Sequence, residues 1–258
     1  MDLGISGCAA VVTGASRGLG RAIALALAHE GVRVTAVARQ QDRLEALTRE
    51  PVPSGPGAIS ARAVDLADAA ALEGMCELVS SAQILVINTG GPPPGAAADI
   101  SDALWVRQFE ALFLSAVRLT RFALPGMRAR SFGRIILVVS SGIVQPIPNL
   151  AISNALRLAL VGWAKTLASE VAAAGITVNC IAPGRIATDR VAEIDRLAAE
   201  RQGMSLEEVQ RQSRLSIPAA RYGEPHELAA LATFLASRNA SYITGAVLRV
   251  DGGMIRSI

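Results

Sequence analysis

Two rhythms of apolar and polar residues alternate along the chain. Short apolar runs come at regular intervals: Cys8–Val12, Val32–Val37, Ile59–Val64, Ile84–Asn88, Arg134–Val139, Thr177–Ala182 and Ala246–Val250. Runs of this length between turn-forming residues read as buried strands. Between them lie stretches with apolar residues at helical spacing: Arg21–Ala28, Gln40–Arg49, Asp68–Ser80, Ser101–Ala129 with Pro125 near its end, Ala151–Ala174, Asp189–Arg214 and Glu227–Ser237. Strands alternating with helices predict an α/β fold, a doubly wound parallel sheet of about seven strands covered by helices on both faces. The Pro- and Gly-rich loop Pro51–Gly57 is too short to separate domains, so residues 1–258 are expected to form one domain.

Three segments depart from the ordinary pattern. Ala151–Ala174 is apolar on more than one face (Ile152, Leu156, Leu160, Trp163, Leu167, and also Leu158, Val161, Val171). One face can cover the sheet and the other a second subunit, which predicts a homo-oligomer, a dimer or a tetramer; cover by the chain itself is the alternative. Asp189–Arg214 is polar and helical, with a capping box at Ser205-Leu206-Glu207-Glu208. Thr13-Gly14-Ala15-Ser16-Arg17-Gly18-Leu19-Gly20 joins the first strand to the first helix. There Gly14 permits the bend, Gly18 lets backbone approach a ligand, and Gly20 lets helix and strand pack closely. Free amides at the helix start suit a pyrophosphate, so this turn predicts dinucleotide binding.

Hydrophobic residues make up 51% of the chain and aromatics 3%, so the core must be built from Ala, Leu, Val and Ile. No apolar run reaches the ~18–20 residues of a membrane span, and the first residues lack the blocks of a signal peptide. A cytoplasmic protein with no membrane partner is expected. Cys8, Cys76 and Cys180 are expected to be reduced, and their spacing fits no metal site. The net charge is +3, but the arginines are scattered, which argues against a nucleic-acid face.

The motifs resemble the short-chain dehydrogenase/reductase family. They are the Thr13–Gly20 turn, Val64-Asp65, Asn88-Thr89-Gly90, Pro183-Gly184-Arg185-Ile186-Ala187-Thr188 and Asp251-Gly252-Gly253, and the similarity runs from Gly7 to Gly253. The chain is similar to the branch usually labelled 3-oxoacyl-carrier-protein reductase, a label naming a substrate that the residues do not show. The resemblance implies an NAD(P) cofactor and a small-molecule carbonyl or alcohol substrate. It implies contacts from Gly14, Ser16, Arg17, Gly18, Leu19 and Gly20, and from Asp65 and Leu66 to the adenine. Asn88 and Gly90 would line the ribose, with bracing of the central strands an alternative role for Asn88. Pro183, Gly184, Ile186 and Thr188 would hold the nicotinamide end. Residues 185–222 would form a substrate lid. His226 reads as a helix-start residue after Glu224-Pro225. The second strand ends Val37-Ala38-Arg39 without an acid, and Arg17 lies in the Gly turn. Two guanidinium groups favour a 2′-phosphate, so NADP is expected over NAD.

The family's chemistry needs an Asn, a Ser, and a Tyr followed four residues later by a Lys. Here Lys165 is the sole lysine, and the two tyrosines, Tyr222 and Tyr242, are followed at that spacing by His226 and Ala246. Ungapped alignment sets Ser140 at the family's Ser, Ser153 at its Tyr, Arg157 at its Lys and Leu112 at its Asn; Ser141 is a second candidate for the Ser. The run Ser153-Asn154-Ala155-Leu156-Arg157, with Asn88-Thr89-Gly90-Gly91-Pro92-Pro93, resembles a branch that carries the same replacement. Ser140, Ser153 and Arg157 are therefore the candidate catalytic residues, with Arg157 also reaching the ribose. Arginine stays charged and cannot shuttle protons, but it can stabilise an alkoxide. Loss of a positioned acid slows such a reaction on the order of 10²–10⁴-fold. The expected activity is hydride transfer between NADP and a carbonyl or alcohol. The alternatives are a cofactor-binding protein without redox turnover and a lyase on the same fold.

Overall fold

The computed structural model describes residues 1–53 and 55–257. Seven strands form one sheet in the order β3-β2-β1-β4-β5-β6-β7: β1 (Ala9–Thr13), β2 (Arg33–Ala38), β3 (Ala58–Ala63), β4 (Ile84–Ile87), β5 (Gly133–Val138), β6 (Ile176–Pro183) and β7 (Val247–Val250). Every pairing is parallel, as β-helix-β crossovers require. The strand order reverses between β1 and β4, and the crevice beyond their carboxyl ends is where ligands bind in this architecture.

Helices cover both faces. On one, α1 (Gly18–His29), α2 (Gln41–Thr48) and a late helix, Pro225–Ala236, pack Ile23, Leu27, Leu44, Leu228 and Leu235 against β-strand residues such as Val12 and Val34. On the other, Leu72, Val79, Leu119, Phe122, Leu160 and Leu167 pack against Val11, Leu85, Ile135 and Val178. This second layer holds α3 (Ala69–Glu73), α4 (Cys76–Ser81), α5 (Asp102–Phe109), α6 (Ser115–Ala129) and α7 (Ala151–Val171). Beyond β6 come α8 (Asp189–Gln202), α9 (Leu206–Leu215) and α10 (Pro225–Ala236). None of the described helices is long and apolar enough to cross a membrane.

Two local expectations are corrected, at Asp68–Ser80 and at the Ser205 capping box, and two expected helical stretches gain internal detail. Asp68–Ser80 is two short helices, not one. Asp68 caps the first by accepting from the amides of Ala70 and Ala71, and the first ends at Gly74, whose missing side chain favours a stop. Ser101–Ala129 is helical throughout but carries a π turn at Glu110–Leu114, which brings Leu112 inward to a small cluster with Ile152 and Leu156. The expected capping box at Ser205 is half made: Ser205 Oγ accepts from the Glu208 amide, but the Glu208 carboxylate turns to Arg211 and Gln212. Asp189–Arg214 is broken at Gly203, which takes the left-handed φ of +63° that ends α8.

The break at Gly74 and the close contact of α4 with α6 give paired expectations. A Cβ on Gly126 would overlap the Ser80 carbonyl, so Gly126→Ala should lower stability by ~1–3 kcal/mol. At Gly74 a Cβ would lie 3.4 Å from the Ala71 oxygen, an ordinary contact at helical φ. Gly74→Ala should therefore raise stability by about 0.4–1 kcal/mol. Urea unfolding of the two variants reads both signs.

Candidate active site

The Gly turn is locked to the end of β4. Thr13 Oγ1 accepts from the Asn88 amide at 3.0 Å and donates to the Asn88 carbonyl at 3.3 Å. Asn88 Nδ2 donates to the Gly14 carbonyl at 3.3 Å. Gly14 sits at φ +61°, and a Cβ there would collide with the Asn88 carbonyl oxygen; a Cβ on Gly20 would collide with the Gly14 carbonyl. Asn88 thus performs the bracing role. Arg17, at the N-cap of α1, supplies no capping oxygen, so the first amides of α1 have no side-chain cap. Ser16 and Leu19 lie half-buried in the same turn, and Gly90 faces open space. These features fit a pyrophosphate at the head of α1 and a ribose above Gly90.

The remaining predicted cofactor residues ring the same crevice. Asp65 is exposed just after β3, and its Oδ1 accepts from the Ala67 amide, with half-buried Leu66 between them. Arg39 is exposed at the end of β2. Pro183 ends β6, and Gly184 donates its amide to the Val250 carbonyl at 2.9 Å, close enough that a Cβ would meet Asp251. Ile186 is buried and bridged to Gly223, and Thr188 leans over Gly18 at the start of α8.

The candidate catalytic residues stand on two adjoining elements. Ser140 follows β5 and accepts from the Gly142 amide at 3.1 Å, which leaves its own O–H free to donate. Ser141 beside it is buried. Ser153 and Arg157 are buried one helical turn apart on α7. Arg157 Nη1 donates to the Val138 carbonyl at 2.7 Å and Nη2 to the Thr89 carbonyl at 3.3 Å. No carboxylate pairs with it among the described residues. Burial, and secondarily the positive charge of Arg190, lower its pKa to about 10, so it remains charged at neutral pH. Thr89 Oγ1 beside it is buried without a partner among the described residues. Leu112 is buried against Ile152 and Leu156.

Several residues that hold the site together have no local signature in sequence. Asn154 Nδ2 donates to the Ile147 carbonyl at 2.9 Å and its Oδ1 accepts from the Ile147 amide at 3.3 Å, pinning the loop between Ser140 and α7. That fit exists because residue 142 is glycine; a Cβ there would strike Asn154 Oδ1. The same loop is tied to the Pro-rich turn after β4, where the Gly95 amide donates to the Asn149 carbonyl at 2.8 Å. Arg190 reaches from α8 across Gly91 to the Pro92 carbonyl at 2.7 Å. Farther along α8, fully buried Asp195 accepts from Arg185 at 2.5 Å and from the Tyr222 hydroxyl at 2.7 Å. Only the Asn154 position, inside the Ser153–Arg157 run, carried a hint in the sequence.

A parallel sheet with a glycine turn at its switch point is the architecture of a dinucleotide-binding protein. The chain belongs to the short-chain dehydrogenase/reductase family, in its 3-oxoacyl-carrier-protein reductase-like branch: residues 14–255 match the family described as enoyl-(acyl carrier protein) reductase. It is 33% identical to the NADPH-dependent reductase BacG of Bacillus subtilis, over 96% of this chain and 98% of that protein. It is 35% identical to the 3-oxoacyl-[acyl-carrier-protein] reductase FabG of Escherichia coli, over 98% and 99% of the two chains. Its structure superposes on L-sorbose reductase from Gluconobacter frateurii, solved with NADPH and L-sorbose, with a TM-score of 0.93 and 38% identity over 100% of each chain. The Bacillus subtilis relative is an NADPH-dependent reductase and the Gluconobacter frateurii neighbour was solved with NADPH, which supports an NAD(P)-dependent oxidoreductase.

The Asp195 cluster fastens α8 to the body of the protein. Tyr222→Phe should lower stability by about 1–3 kcal/mol by leaving the buried carboxylate one donor short. Asp195→Ala should lower it more, about 3 kcal/mol, because Arg185 then has no carboxylate. Denaturant unfolding should place the two variants in that order.

Proposed function

We propose that the chain reduces a carbonyl with NADPH through a site in which Ser140, Ser153 and Arg157 do the work of the family's Ser, Tyr and Lys. The observation that carries this reading is Arg157: a buried cation held by two backbone carbonyls, with no carboxylate to neutralise it among the described residues. Burying an uncompensated charge is unfavourable unless an electron-rich partner meets it. A developing alkoxide and the ribose hydroxyls are such partners.

When bound, the dinucleotide supplies a hydride to the carbonyl carbon. Ser140 donates its free O–H to the carbonyl oxygen, and Ser153 lies on the neighbouring helix to do the same. Arg157 stabilises the negative charge that builds there and keeps its own proton. The proton that completes the alcohol comes from water. Gly14, Ser16, Arg17, Gly18, Leu19 and Gly20 take the pyrophosphate side, and Asp65 and Leu66 the adenine. Arg39 takes the 2′-phosphate and Gly90 the ribose. Pro183, Gly184, Ile186 and Thr188 hold the nicotinamide end. Residues 185–222 form a helical lid within one domain spanning the chain.

We place the protein in the cytoplasm as a homo-oligomer. Leu158 on α7 is 54% exposed and Val106 on α5 is 63% exposed. Phe109 and Phe113 stack at 5.1 Å, with Trp163 edge-on to Phe113. An aromatic strip of this kind suits a second copy.

Rates with a panel of ketones and keto-sugars test the reading. Ser153→Ala and Arg157→Ala are each expected to lower kcat/KM on the order of 10²-fold or more, in the range of a lost catalytic group. Turnover unaffected by both changes would overturn the site. Tight NADPH binding with no turnover on any carbonyl would favour the cofactor-binding alternative.

A further inference from the structure

Two arginines from different elements converge on one carboxylate beside the cofactor crevice. Arg17 Nη1 lies 3.4 Å from Asp189 Oδ2, and Arg43 Nη1 lies 4.0 Å from the same oxygen. Arg17 belongs to the Gly turn and is the N-cap of α1; Arg43 is in the first turn of α2, just after β2 and Arg39. Both residues thus stand at helix N-termini, where the backbone dipole already presents positive charge. Cations are disfavoured there unless an anion joins them. Asp42 shares that first turn but makes no ion pair with Arg17, Arg39 or Arg43 among the described residues. Asp189 is the sole carboxylate paired with either arginine among those residues, and its side chain is 67% exposed.

We propose that Arg43 is a further guanidinium of the 2′-phosphate site, alongside Arg17 and Arg39, and that Asp189 at the head of α8 holds this site until the phosphate displaces it. The inference rests on NADP as the cofactor. A phosphate monoester carries more charge than a carboxylate and offers three acceptor oxygens, so it outcompetes Asp189 for forked donors. Asp189 then turns to water at little penalty, since most of its surface is already solvated. NADH, with a 2′-hydroxyl in place of the phosphate, leaves the Asp189 pairs intact. Arg43 is thus a specificity-determining residue, and Asp189 is an internal competitor that weakens binding of the phosphorylated cofactor alone.

The test is equilibrium binding of NADPH and of NADH to the full-length chain by nicotinamide fluorescence, with melting temperatures confirming that each variant is folded. Arg43→Ala should weaken NADPH about tenfold, the scale of one charge-assisted contact, and leave NADH unchanged. Asp189→Asn should tighten NADPH several-fold and leave NADH unchanged. Equal loss for both cofactors in Arg43→Ala, or no loss for either, would overturn the assignment of Arg43. Weaker NADPH binding in Asp189→Asn would overturn the competitor role. If the unsubstituted chain bound neither dinucleotide, the cofactor itself would be refuted and this inference with it; flat variants on a chain that binds NADPH would refute this inference alone.

Discussion

The structure depends on how closely the turn after β1 approaches the end of β4. Gly14 and Gly20 leave room for the Asn88 carbonyl and the Gly14 carbonyl, and Asn88 returns a hydrogen bond from its side chain. A methyl group at either glycine would push α1 away from the switch point of the sheet. With that seam closed, the head of α1 faces the crevice at the switch point. The positions of the residues around the crevice are set relative to this seam. It is a steric constraint first and an electrostatic one second, since the free amides of α1 serve an anion only where the backbone has been brought close.

Arg157 poses the opposite problem, a charge placed where burial opposes it. Its neighbours show how the fold tolerates this. Val138 ends β5 and Thr89 follows β4, so their carbonyls lie at adjoining strand ends of a parallel sheet, and one guanidinium spans both. The donor thus ties two strand ends to α7, and under the proposed chemistry its charge serves what enters the crevice. Asn154, three residues earlier on α7, fastens the loop from Ser140 by copying a peptide group against Ile147. Under the proposed chemistry this pair of ties matters more than any single proton donor. A hydroxyl with the acidity of serine contributes through placement, and placement needs the β5-to-α7 loop to be rigid.

The fold was legible because strand and helix rhythms alternate with little ambiguity, and because a run such as Ile84–Asn88 fits no other element. Errors fell where a local signal competed with tertiary contacts. Gly74 divided a helix that periodicity had joined, and Glu208 was drawn from Ser205 by Arg211. The Gly turn, Ser140, Ser153 and Arg157 could be picked out by their order in the chain. Arg43, Asp189 and Arg190 could not. Their partners lie far away in sequence, as with Arg190 and Pro92, and each looks like an ordinary charged residue on a polar helix face. Asp65 shows the reverse limit: its side chain is exposed, yet the bond that side chain makes among the described residues is a local turn.

Substrate choice follows from which parts of this crevice are rigid. The family description names an enoyl-(acyl carrier protein), one relative a 3-oxoacyl-[acyl-carrier-protein] and one solved neighbour L-sorbose, all on the same sheet. The sheet therefore does not select the substrate; the loops beyond it do. Here two proline-bearing loops, Pro92-Pro93-Pro94 and Pro146 to Pro148, are bridged at Gly95 and Leu150. Proline fixes one backbone torsion at each of these positions, so the paired loops make a stiff wall. The facing wall is α8, held at Pro92 by Arg190 and at its middle by buried Asp195. One wall is stiff and the other is hinged on polar contacts, so a change of substrate is accommodated first by α8 and its partners. Under the proposed carbonyl chemistry, selectivity would then reside in side chains there more than in Ser140 or Ser153.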